Sequence, residues 1–193
     1  FDTKRRHRYI IMSKELLDVL DENGLPTGEV LSRDEVHHQG LWHRAIVVAV
    51  INDHNEILLQ QRSTNKEKNA NLWDISVAGH LAAGQDSLSA AAREISEEIN
   101  VFLGYKTEIK DFRYMTCFRK EQKYSDNFIE RQFYDFFVLR TSKLEAASIQ
   151  FQQSEVQAVR FADLTTIQQL ASEGVLVERP EVYRVLHNYL FRF

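Results

Sequence analysis

The sequence predicts an α/β (α+β) fold in which a mixed central sheet is sandwiched between helices. Three observations carry that expectation. The chain has 193 residues, 44% hydrophobic and 11% aromatic, which suits one packed core of ordinary size. Short runs rich in Val and Ile interleave with segments of helical periodicity, and that alternation places helices on both faces of a sheet. No internal repeat or low-complexity linker interrupts the pattern, and only two prolines occur, Pro26 and Pro180. Residues 12–193 are therefore expected to form a single domain. The basic and aromatic stretch 1–11 stands apart as either an appended segment or a genuine upstream extension, because Met12-Ser13-Lys14-Glu15 reads as a natural beginning.

The elements follow in order. Leu16 to Leu20 and Glu29 to Leu31 are short strands around a turn at Asp21-Glu22-Asn23-Gly24, a run of turn formers. Ser32 caps a short helix reaching about His38. His43 to Ile51 is apolar and rich in β-branched residues, the mark of a buried strand. Asp53-His54-Asn55-Glu56 turns the chain into Ile57 to Arg62, and the pair reads as a hairpin. Lys66 to Asn71 is a polar loop, followed by a short strand around Asp74 to Val77. Gly79 and Gly84 bracket a loop, and Ser87 is an N-cap candidate for a helix through roughly Ile99. Long strands near Glu108 to Arg119 and Phe128 to Arg140 are joined by a polar segment, Lys120 to Asn127. Val156 to Phe161 is a further strand. Ala162 to Ser172 and Pro180 to Leu190 are closing helices, with Pro180 suited to a helix start.

Charge and cysteine usage exclude several classes of function. Lys and Arg number 24 against 28 Asp and Glu, a formal net charge of -4, and no basic tract stands out. General binding to nucleic acid or a membrane surface is therefore not expected. The single cysteine, Cys117, rules out an intramolecular disulfide and argues against a Cys-built zinc site; a buried or inert thiol is expected. Ala45 to Ile51, among the longest apolar runs, is far shorter than a membrane span. With no signal-peptide pattern, the expected location is cytoplasmic.

One helix carries candidate chemistry. At about 100° per residue, Leu88, Ala91, Ala92, Ile95 and Ile99 share a face that must pack on the sheet. Glu94, Glu97 and Glu98 gather on another face, roughly 120–130° away. Read alone, three glutamates are equally well explained as a solvated acidic face, with Arg93 paired to Glu97 one turn on. As a ligand set, they suit Mg²⁺ or Mn²⁺, which prefer carboxylate oxygen.

The upstream glycines decide between these readings. Gly79-His80-Leu81-Ala82-Ala83-Gly84-Gln85, then seven residues, then Arg93-Glu94-Ile95-Ser96-Glu97-Glu98-Ile99-Asn100-Val101 resembles the Nudix box over its full spacing. The resemblance implies a Nudix-type α/β/α sandwich and a hydrolase that attacks a diphosphate with water, using Mg²⁺ or Mn²⁺. It assigns Glu94, Glu97 and Glu98 to the metal, with the Gly79 carbonyl as a further ligand. Arg93 would orient the carboxylates by charge-assisted hydrogen bonds. A general base is expected from a carboxylate outside this shell or from one within it; Glu130 and Asp135 on the later strand are candidates, though either could be an ordinary strand carboxylate. Two positions depart from the pattern. Asn100 replaces a glycine and tolerates the same left-handed backbone. Gln85 replaces a glutamate and removes one charge, while keeping an oxygen for Arg93 or a metal-bound water.

The resemblance extends to the isopentenyl-diphosphate-isomerase-like branch. It rests on Asp18-Val19-Leu20-Asp21-Glu22-Asn23-Gly24, His37-His38-Gln39-Gly40-Leu41-Trp42-His43-Arg44-Ala45 and Leu58-Leu59-Gln60-Gln61-Arg62-Ser63. That branch implies that Arg62 and Lys66 grip the substrate diphosphate; otherwise they are solvated surface cations. It also implies a metal site at His37 or His38, His43 and His80, with a glutamate near Glu130. Isomerases use a cysteine where this chain has Ala78, so hydrolysis is preferred over isomerisation. A non-catalytic module that senses a ligand such as a nucleotide sugar or ADP-ribose is the third alternative, kept open by Gln85. The expected partner is a small-molecule diphosphate, with neither nucleic acid nor membrane, and homodimerisation left open. Trp42, Trp73 and Phe133 are read as core rather than as substrate-stacking rings.

Overall fold

Alternation along one strand divides the interior in two. The computed structural model describes residues 15–66, 68–100, 109–142, 149, 151 and 154–191, with strand β3 (Trp42–Ile51) inside a nine-stranded sheet. Successive side chains of a strand point to opposite faces. Ala45, Val47, Ala49 and Ile51 accordingly meet Ile167, Leu170, Val182 and Leu186, from helices α3 (Leu164–Ser172) and α4 (Pro180–Phe191). Ile46, Val48 and Val50 meet Ala90, Ala91 and Ile95 of helix α2 (Ser87–Ile95) on the other face. Helices cover both faces of a mixed sheet, as the sequence predicts. Truncating a fully buried side chain such as Ile95 to Ala costs about 2–5 kcal/mol, so each core matters to stability.

Strands β1 (Leu16–Leu20) and β2 (Pro26–Ser32) form an antiparallel pair ahead of α1 (Arg33–Gln39). Ser32 and Glu35 make a reciprocal capping box at the start of α1, and Gly40 closes it at φ 64, a left-handed conformation that costs glycine little. β3 runs parallel to β8 (Phe128–Arg140) along its whole length. On its other edge, β3 pairs antiparallel with β6 (Val77–His80) from Ala45 to Val48. β4 (Ile57–Arg62) pairs with β5 (Trp73–Ile75) and β9 (Val156–Ala162), while β7 (Phe112–Ser125) pairs with β8.

Four local expectations need correction. The β3–β4 hairpin is little more than a turn: only Ile51 and Ile57 pair before the strands part and β6 takes over the edge of β3. The fork between them opens the cleft described below. The N-cap of α2 is Asp86 rather than Ser87, since the Asp86 carboxylate accepts from the backbone N–H groups of Leu88 and Ser89. The α-helix ends at Ile95 and continues as a π-helical turn, Ser96–Asn100, where an α-helix through Ile99 is expected. The segment Lys120 to Asn127 is mostly strand: β7 runs to Ser125, and the hairpin turns at Asp126 and Asn127. Its polarity reflects exposure, because backbone pairing with β8 suffices there. Residues 1–14 and Val101 to Glu108 lie outside the described residues, as do the side chains of Ile99 and Asn100. No helix among the described residues is long and apolar enough to cross a membrane.

Candidate active site

The fork in the sheet leads into a cleft of about 510 Å³. Gly79, Arg93, Glu94, Glu97, Glu98, Arg62, Lys66 and Glu130 all line it, so eight residues singled out in the sequence converge there. Gly79 on β6 faces Glu94 on α2 at very close range. A Cβ at position 79 would fall 2.8 Å from Glu94 Cγ and closer still to the carboxylate. The absence of a side chain at 79 therefore makes room for Glu94.

Arg93 organises the glutamates. Its guanidinium lies 2.9 Å from Glu94 and 3.0 Å from Glu97, and donates to the His80 carbonyl at 3.0 Å. It also donates to Gln85 Oε1 at 3.3 Å, so the amide retains one contact expected at that position. Glu97 is exposed, whereas Glu98 turns inward in the π-helical turn and accepts from Gln60 Nε2 at 3.3 Å. π-turns widen a helix locally and recur at functional sites. Burial, reinforced by the Glu94 charge, pushes the Glu98 carboxyl up to about 8. Burial also raises Glu94, against the pull of Arg93. Buried carboxylates that repel one another and lack a full countercharge form a donor set suited to a hard divalent cation.

A cationic wall faces the glutamates. Arg62 donates from Nε and NH2 to the Lys68 carbonyl, at 3.3 and 3.2 Å, and its NH1 lies 3.9 Å from Asp74. Asp74 is itself buried and accepts from Arg179 Nε and NH2 at 2.7 and 3.0 Å. Burial alone would raise the Asp74 carboxyl, but Arg179 holds it below its ordinary value. Lys66 is ion-paired with Glu155. Burial, together with the nearby Arg62 charge, lowers the Lys66 ammonium, and the charges of Glu98 and Glu94 act on it from the glutamate side.

The two base candidates separate. Glu130 lines the cleft, 4.0 Å from Lys68 and 3.6 Å from Lys120, and Tyr124 donates to it at 3.5 Å. Asp135 is buried outside the cleft lining, bound by Arg44 at 3.1 Å and by the Ser87 hydroxyl. Cys117 is exposed on β7 rather than buried. Partial desolvation and the Asp135 charge push its thiol up to about 11, so it stays protonated and poorly nucleophilic near neutral pH.

The histidines also divide. His37, His43 and His80 come together with ligand-capable nitrogens within 4.8 Å of one another, whereas His38 is exposed. Nδ1 of His37 lies 2.7 Å from the Arg33 carbonyl, and Nδ1 of His43 lies 3.0 Å from that of Leu41. Such contacts fix the tautomer and leave each Nε2 as the lone-pair nitrogen. The Gln132 amide nitrogen lies 3.2 Å from Nε2 of both His43 and His80. Burial lowers all three imidazoles, His43 to about 4, and keeps them neutral.

Sequence reasoning missed Gln60, Asp74, Glu155, Lys68, Lys120 and Arg179, all of which line the cleft. Asp74 and Arg179 are 105 residues apart, and Lys66 and Glu155 are 89 apart. Neither pair carries a local spacing signal. Trp42 packs on Phe133 at 5.0 Å away from the cleft lining, in keeping with a core role.

Comparison with known proteins gives the family and the fold. The profile of the NUDIX domain family matches residues 41–184. "Nudix hydrolase 3" of Arabidopsis thaliana is 38% identical over 155 residues, which cover 78% of this chain and 19% of that protein. An isopentenyl-diphosphate Delta-isomerase of Pectobacterium atrosepticum is 40% identical over 83 residues, covering 43% of this chain and 46% of that one. The chain thus spans less than half the length of either relative. Its fold matches the crystal structure of DR0079 from Deinococcus radiodurans with a TM-score of 0.69, at 21% identity, over 91% of this chain and 99% of that one.

Proposed function

This chain belongs to the NUDIX family, and on that premise we propose that it is a hydrolase that cleaves a diphosphate linkage in a nucleoside-diphosphate-X or related small molecule. The observation that supports this most is the convergence of Glu94, Glu97 and Glu98 with Arg62 and Lys66 in one cleft. Glu94, Glu97, Glu98 and the Gly79 carbonyl would hold Mg²⁺ or Mn²⁺. When bound, such an ion neutralises phosphate charge and makes an attacking water more acidic. Arg93 orients Glu94 and Glu97. Gln60 orients Glu98. Arg62 and Lys66 bind the diphosphate oxygens, Arg62 through a planar fork and Lys66 as a point charge.

Glu130 is the preferred general base, because it lines the cleft and Asp135 does not. Isomerisation is disfavoured, since Ala78 puts a methyl group on the cleft wall and Cys117 is outside that lining. A ligand-sensing role without catalysis is disfavoured by the retention of all three glutamates around one cleft. A cation held by His37, His43 and His80 would need the Gln132 amide to turn aside from the two Nε2 atoms.

The test is Glu98→Gln, assayed by phosphate or nucleoside monophosphate release across nucleotide sugars, ADP-ribose, dinucleoside polyphosphates, nucleoside triphosphates and isopentenyl diphosphate. Loss of about 10²-fold or more in kcat with an unchanged circular-dichroism spectrum is expected. Full activity of the variant in saturating Mg²⁺ removes the metal assignment. Tight binding of one compound without release from any supports the sensor reading instead.

A further inference from the structure

The aromatic rings lining the cleft share one property. They are Tyr124, Phe128, Tyr134 and the His80 imidazole among the described residues, and each is already covered, His80 by the rings of His37 and His43. Lys68 Nζ stands 2.6 Å from the Phe128 ring centre and 4.1 Å from that of Tyr124, and 4.0 Å from the Glu130 carboxylate. The His37 ring packs on Phe128 at 4.4 Å, and Tyr124 meets Phe128 edge-on at 6.1 Å. Tyr134 is buried and packs on Phe118 at 5.3 Å. The tryptophans lie outside the lining: Arg119 sits over Trp42 and Arg160 over Trp73, each at 4.3 Å.

A nucleobase is usually bound by stacking on an aromatic face, or on a guanidinium plane. Here an ammonium ion already lies against two rings, attracted by their quadrupoles and by a carboxylate. A base entering this end of the cleft would displace Lys68 from both rings and from Glu130. The remaining groups at that end, Lys120, Gln132 and Arg33, are hydrogen-bonding or charged, and they suit hydroxyl or phosphate oxygens. The volume of about 510 Å³ must also accommodate the diphosphate and its cation.

We propose that this cleft takes compact diphosphates that carry no aromatic base, and that Lys68 is the residue that excludes nucleosides. This rests on the diphosphate-hydrolase reading and narrows its substrate class to the related small molecules, setting aside nucleoside-diphosphate-X compounds. Lys68 acts as a specificity residue: it covers the stacking faces and offers its charge to the base-free half of the substrate.

The experiment compares ADP-ribose with its base-free analogue, two riboses joined C5 to C5 through the same diphosphate, so that the pair differs only in the base. Turnover and calorimetric Kd are measured in Mg²⁺ for the wild type, Lys68→Ala and Lys68→Arg. The wild type should favour the base-free compound by about tenfold or more in kcat/KM and in 1/Kd. Lys68→Ala should shift both ratios towards ADP-ribose by about tenfold, and Lys68→Arg should keep the wild-type ratios. Preference of the wild type for ADP-ribose overturns the proposal, as does a shift below about twofold in Lys68→Ala. If neither compound is hydrolysed, support for the hydrolase reading falls while the Kd ratios still decide the role of Lys68. Melting curves of the variants identify any loss of fold. If Lys68→Ala is lost, Lys68→Gln, which removes the charge at similar length, carries the comparison and should shift the ratios towards ADP-ribose, an unchanged ratio overturning the proposal.

Discussion

Gly79 and Glu94 occupy adjoining space so tightly that a methyl group on the first would overlap the carboxylate of the second. Gly79→Ala should therefore displace Glu94 from its place beside Arg93. The substitution is expected to lower divalent-metal affinity about 10-fold or more, by analogy with the loss of an orienting group around a metal. Titration of Mn²⁺ followed by electron paramagnetic resonance reads this directly. Unchanged affinity would mean that Glu94 yields without consequence.

Lys66 is held by Glu155, a carboxylate from the far end of the chain. Glu155→Ala frees the ammonium to sample other positions, so substrate binding should weaken while the chemical step is preserved. A rise in KM of about 3–10-fold with kcat within twofold is expected, the pattern of lost uniform binding. Lys66→Ala should raise KM further. If kcat falls and KM stays constant, Glu155 acts in the chemistry instead.

Gln85 supplies an oxygen that accepts from Arg93 at 3.3 Å and from the Ala82 N–H at 3.2 Å. A glutamate can accept both bonds equally well. Gln85→Glu should accordingly change kcat by no more than about threefold, since a bond is strengthened and none is created. Gln85→Ala loses both, and should cost about 1–2 kcal/mol in urea unfolding. A large gain in Gln85→Glu would show that the missing charge limits turnover.

Asp74 and Arg179 form a buried ion pair, and removing one partner strands the other charge. Asp74→Asn should lower stability by about 3–5 kcal/mol near neutral pH. The pair also makes a pH signature. Asp74 has an ordinary value of 3.8 and is held below it in the folded chain. Its contribution is therefore complete above about pH 3.8 and is lost as the pH falls through the lower folded value. Urea unfolding across pH 2–6 should show a loss of stability at the acid end in the wild type that is smaller in Asp74→Asn. Parallel profiles would assign the acid loss to other groups.

Much of the architecture is legible in local pattern. The Val- and Ile-rich run of β3 reads as buried because it is covered on both faces, and Ser32 with Glu35 reads as a helix start because capping is local. The β3–β4 hairpin is shorter than the sequence suggests because a turn sequence fixes chain reversal but not how far pairing extends; β6 takes the edge of β3 that β4 would continue along, while β8 holds the opposite edge. The polar stretch at Lys120 looks like a connector because an exposed strand edge has no hydrophobic signature.

The sequence by itself determined the glutamate side of the cleft, because Gly79, Arg93, Glu94, Glu97 and Glu98 lie within twenty residues. Helical spacing and one glycine are enough to bring them together. Only the tertiary structure decided what faces them. Asp74 with Arg179, Lys66 with Glu155, and Lys68 with Tyr124 and Phe128 join residues from distant strands and loops. Their proximity arises from strand pairing and sheet packing, which no local spacing records. It also chose Glu130 over Asp135 for the cleft, a distinction set by the side of β8 each carboxylate occupies in the fold.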